Sequence, residues 1–68
     1  MQISARNQFR GKVTAVKLGN VMAEVQVEIG GIHLVSAITR GSAETLGLKV
    51  GDEVVAIIKS TEVMIGKP

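Results

Sequence analysis

The chain has 68 residues, no cysteine and one histidine, so disulfide bridges and thiolate metal sites are excluded. Its apolar residues (46%) are nearly all aliphatic, Phe9 is the only aromatic, and the net charge is +2 with a pI of about 9.4. Eight scattered Lys and Arg with one Phe argue against a nucleic-acid binder, which needs a clustered basic face or stacking aromatics. A core this small barely offsets the entropy of ordering the chain, and small domains close that gap with disulfides, metals or self-association. Self-association is the route left. No apolar run approaches the ~18 residues of a membrane span, and "MQISARNQ" lacks the apolar stretch of a signal peptide. A cytoplasmic, single-domain protein spanning residues 1–68 is expected.

In chain order, "ISARNQ" (3–8) reads as an opening strand with Ser4 and Arg6 on one face and Ile3 and Ala5 on the other. "GKVTAVKLGN" (11–20) is β-branched and ends in the turn pair Gly19-Asn20. Residues 21–29 alternate, with Val21, Ala23, Val25, Val27 and Ile29 on one face and Met22, Glu24, Gln26 and Glu28 on the other. A period of two marks a half-buried strand. Gly30-Gly31 is a second turn, and residues 32–39 form a third strand with Ile32, Leu34, Ser36 and Ile38 on one face.

The pattern then changes. "SAETLGL" (42–48) predicts a short helix with Ser42 as its N-cap, Glu44 in its first turn and Gly47 as its stop. Gly51-Asp52 is a turn, "EVVAIIKS" (53–60) reads as a strand buried on both faces, and "TEVMI" (61–65) as a last strand before a frayed end. Three strands, a short helix and two strands predict an all-β fold: a small OB-like five-stranded barrel with one helix between strands 3 and 4.

No catalytic constellation is present. His33 has no identifiable partner and reads as an exposed strand residue, and the glycines fall at turns rather than in a phosphate loop. Three groups suit an anion instead. Ser4 and Arg6 offer a hydroxyl beside a guanidinium; Thr39, Ser42 and the Ala43 amide flank the predicted helix start; Lys59 and Ser60 end the apolar strand. Each has a simpler reading: a charged edge strand, a helix cap, the polar end of a buried strand. Together they would balance a small dianion with several donors. Lys59 and Ser60 are consecutive, so both reach one ligand only at a strand end or bulge. Spacing leaves open whether the groups converge.

"ISARNQ", "GKV", "GNVMAEV", "AIT" followed by "SA" and "LGL", and "GDEV" followed by "IKSTEVM" resemble the molbindins, small molybdate-binding proteins related to domains of molybdate-responsive regulators and molybdate-transporter ATPases. The resemblance covers essentially the whole chain, with the blocks in family order. It implies an OB-like barrel that assembles, typically into a homohexamer, with molybdate and also tungstate held between subunits by hydrogen bonds and without direct metal ligands. Carried over position by position, the binding residues are Ser4, Arg6, Thr39, Ser42, Ala43, Lys59 and Ser60. The expected role is intracellular molybdate storage or homeostasis, with no enzymatic activity and no nucleic-acid or membrane partner. The alternatives are an OB-type nucleic-acid-binding module and a small dimeric transcriptional regulator.

Overall fold

The computed structural model describes all 68 residues. Four strands, β1 (Asn7–Leu18), β2 (Met22–Ile29), β3 (Ile32–Thr39) and β4 (Glu53–Ile58), form one antiparallel sheet in the order β3-β2-β1-β4. A helix, α1 (Arg40–Leu46), links β3 to β4. β1 organises the sheet because its two halves serve different partners. Asn7 to Lys12 pair with β4, and Lys12 to Leu18 pair with β2, with a bulge between Val13 and Ala15. The bulge bends the strand and raises its twist, which starts the curl of a barrel. Gly11 precedes the bulge, and an added Cβ there would lie 2.5 Å from the Glu28 carbonyl oxygen. Only glycine lets β1 approach β2 so closely there.

The alternation of residues 21–29 holds. Ala23, Val25 and Val27 are buried, and Val25 and Val27 form the core with Val13, which is 1% exposed. Val16, Ile29, Ile38, Leu48 and Val54 pack around them half-buried. Gly30 and Gly31, at φ of 52° and 85°, make the two-residue turn between Ile29 and Ile32, a conformation that matches strand twist and demands positive φ.

Three expectations are corrected. The helix begins at Arg40, and its cap is Thr39 rather than Ser42. β3 runs straight into α1, so Thr39 ends one element and caps the next. Gly47, at φ 61°, does end the helix, with the Leu48 amide donating to the Ala43 carbonyl and the Gly47 amide to that of Glu44. Second, β4 is an edge strand: Val54, Val55, Ala56 and Ile58 are only half-buried and Ile57 is exposed. Third, residues 61–65 form no strand. Ser60–Glu62 is a 3₁₀ turn, closed by the Glu62 amide donating to the Lys59 carbonyl at 2.9 Å, and residues 63–68 have no regular structure. The chain contributes four strands of an OB-like fold, open between β3 and β4.

Candidate functional site

The N-terminal motif does not run as a strand. β1 begins at Asn7, and Ser4 lies in a bend held by the Gln8 side-chain amide, which donates to the Ala5 carbonyl. Residues 3–6 lack a ladder partner because β4 stops at Ile58 and the chain turns away after it. Ser4 and Arg6 therefore share no strand face, but the sheet gives Arg6 a different neighbour. Asn7 is registered with Ile58, so Arg6 and Lys59 each lie one residue beyond the last paired position, at the same end of the sheet. Lys59 stands just past the strand end, extended at φ −65° and ψ 133°, and Ser60 opens the 3₁₀ turn. A strand end is the setting in which consecutive residues serve one ligand. Two of the three anion groups thus lie at the same end of the sheet.

Arg6 and Lys59 are among five cations without an ion pair, together with Lys12, Lys49 and Lys67. Arg10 bonds Glu53 at 3.1 Å, Lys17 lies 3.7 Å from Glu24, and Arg40 lies 3.5 Å from Glu44 while also donating to the Gly19 carbonyl. Arg6 and Lys59 have no carboxylate partner within ion-pair distance, and both are exposed. Two unpaired cations at the same end of a sheet favour an anion there.

The third group lies elsewhere. Thr39 is registered with Met22, near the Leu18 end of β1, whereas Arg6 precedes the Asn7 end. Thr39 Oγ1 accepts from the Ser42 amide at 3.1 Å, and the Thr39 hydroxyl donates to Ser42 Oγ at 2.7 Å. That arrangement occupies the Thr39 proton and leaves the Ser42 hydroxyl proton to donate outward. A cap at Ser42 would leave the Ala43 amide among the free donors. With Thr39 as cap, Ala43 is the fourth helical residue, where the amide pairs inside the helix, and its side chain is buried. No hydrogen bond or ion pair joins Thr39 or Ser42 to Arg6 or Lys59. Within one chain the constellation is divided between two ends of the sheet.

His33 is exposed, registered with Glu28, and no three of the His, Asp and Glu side chains cluster. One feature is not evident from the sequence pattern: an apolar cleft of about 780 Å³ between β3 and β4, lined by Leu34, Ile38, Val54 and Ile58 and floored by Val25 and Val27. Its signal is the two-sided apolar character of "EVVAII", which marks a strand that needs cover on both faces.

Fold and polar ends define a small OB-like binding domain. The chain matches the TOBE domain model over residues 3–65. It is 59% identical over 66 residues to molybdenum-pterin-binding protein 3 of Clostridium pasteurianum, covering 96% of this chain and 97% of that protein. A molybdate-binding protein from Sporomusa ovata superposes with a TM-score of 0.94 at 40% identity, covering 98% of this chain and 100% of the other. The cytoplasmic molybdate-binding protein ModG, with molybdate bound, gives a TM-score of 0.84 at 49% identity over 88% of this chain and 43% of that one. The chain belongs to the TOBE domain family and, within it, to the molybdenum-pterin-binding proteins.

Proposed function

We propose that this protein binds molybdate, and tungstate with it, between subunits of a homo-oligomer, as an intracellular store or buffer of the oxyanion. Arg6 and Lys59 are the charge-bearing side of the site, with Ser4 and Ser60 beside them; Thr39 and Ser42 form the other side, contributed by a second chain. The observation that carries this reading is that Arg6 and Lys59 flank the last registered pair of β1 and β4, Asn7 with Ile58, neither neutralised within its own chain. Their charges balance a dianion, and hydroxyl and guanidinium protons serve its oxygens without any bond to the metal atom. The relatives named for molybdate support the choice of ion. A pterin ring would need a stacking surface, and Phe9 is the only aromatic residue, which favours the inorganic anion over a metal–pterin compound.

The same physics favours a binding protein over an enzyme, since no histidine or carboxylate is hydrogen-bonded to the site's hydroxyls to activate them. A ligand that binds only the assembled state stabilises it by about 2.7 kcal/mol per site at a hundredfold excess over Kd. Storage and assembly are thereby linked. The test is calorimetric titration with molybdate, tungstate, sulfate and phosphate. Molybdate and tungstate binding well above sulfate is expected, and binding no tighter than sulfate would contradict the proposal. Arg6→Ala should weaken molybdate binding roughly 10- to 100-fold, the loss of a charge-assisted contact, with an unchanged circular dichroism spectrum.

A further inference from the structure

We propose that Gln8 is a positioning residue of the oxyanion site: its side-chain amide holds the bend that presents Ser4 and Arg6, so the anion meets donors already in place. The inference deepens the proposed function and rests on its assignment of Ser4 and Arg6 to the site.

Little else holds these two residues. β1 begins at Asn7, and residues 1–6 take part in no ladder. No backbone hydrogen bond involves any of them. Arg6 makes no ion pair. One side-chain bond reaches the segment, from the Gln8 side-chain amide to the Ala5 carbonyl. That carbonyl belongs to the planar peptide unit joining Ala5 to Arg6. Holding it therefore sets where the Arg6 Cα lies and the direction from which Ser4 arrives. Ala5 is half-buried, whereas Ser4 and Arg6 are exposed. The tethered residue is turned inward and the two anion-binding side chains are left free.

The anchor is rigid where the segment is not. Gln8 lies second in β1 and is registered with Ile57 of β4. A group carried by a paired strand positions a neighbouring loop more firmly than the loop positions itself. The residue type also suits the task. A carboxamide donates without carrying charge. Lysine or arginine at this position would add a cation, and glutamate would bring a carboxylate that repels the anion and, when ionised, only accepts. Glutamine ties down the bend and leaves the charge of the site to Arg6 and Lys59. Ordering the bend beforehand removes part of the entropy loss that binding would otherwise carry. The effect on affinity is indirect and passes through Arg6.

The test uses Gln8→Met, which keeps the length of the side chain and removes its donor. Molybdate titrations of wild type, Gln8→Met, Arg6→Ala and the double variant form a double-mutant cycle. Gln8→Met alone should weaken binding roughly 3- to 10-fold, the worth of one side-chain hydrogen bond, with the melting midpoint and the oligomeric state unchanged. In the Arg6→Ala background the same change should weaken it less than about twofold, because the group being positioned is gone. No loss in the first case, or equal losses in both, overturns the inference. A second readout needs no ligand. Amide nitrogen relaxation of the anion-free protein should give Ala5 and Arg6 order parameters of about 0.85 in wild type and below about 0.6 in Gln8→Met. Equal order in the two proteins overturns the inference whether or not molybdate binds. The wild-type titration thus decides the proposed function, and the comparison of variants decides the role of Gln8.

Discussion

The two sides of this small sheet differ in completeness. On the β1–β2 side, the bulged strand wraps over its neighbour, and Val13, Val25 and Val27 are sealed from water. On the β3–β4 side the edges face each other unpaired over an apolar cleft, and Val35 is 58% exposed. Only five of 68 residues are buried, and all lie on or against the closed side. One chain suffices to close one half of the sheet and leaves the other half open. The candidate oxyanion site follows the same division. Arg6 and Lys59 lie just beyond the paired ends of β1 and β4, whereas Thr39 and Ser42 lie at the start of α1.

The comparison can be broken most severely by placing one charge on each side. Val25→Asp puts a carboxylate into the sealed core and should cost about 4 kcal/mol or more, enough to abolish the cooperative melt in circular dichroism. Val35→Asp should retain the β-sheet spectrum and instead reduce the assembled species in analytical ultracentrifugation. Equal unfolding by both would mean the two sides do not differ. A smaller effect is expected at the helix start. Thr39→Ala removes the cap accepting from Ser42 at 3.1 Å and should cost about 1 kcal/mol in urea unfolding, while Ser42→Ala, if Thr39 is the cap, should cost clearly less. The smallest belongs to the surface. Arg10 and Glu53 form an ion pair with side chains 81% and 65% exposed, so Arg10→Ala should shift stability by less than about 0.5 kcal/mol. A large loss there would mean that β1–β4 pairing depends on that contact.

Much of this architecture is legible from residue patterns, for reasons local to each element. The alternation around Val25 and the Gly30-Gly31 pair report period and turn chemistry, which neighbours along the chain determine. What local pattern misses is partnership. "EVVAII" carries the apolar signature of a covered strand, yet it is an edge, because no strand of the chain pairs along its outer side. "TEVMI" has strand propensity but forms a turn and an extended end, because propensity supplies no ladder partner. The helix starts two residues earlier than its pattern suggests for a subtler reason: Thr39 and Ser42 are both good caps, and Gly41 between them disguises the first turn as a loop. The candidate site shares this fate. Its residue types are readable, but that Arg6 and Lys59 fall at one end of the sheet and Thr39 with Ser42 at the other follows only from the register.

The central claim is that the oxyanion sits between chains, with Arg6 from one and Thr39 with Ser42 from another. The most direct measurement is complementation: co-folding Arg6→Ala protein with a Thr39→Ala, Ser42→Ala double variant, each defective alone, and titrating the mixture with molybdate. With two-chain sites and random mixing, the account predicts recovery of about a quarter of the tight sites, since one pairing in four unites two intact halves. A mixture that binds no better than its components would place both halves in one chain and contradict it.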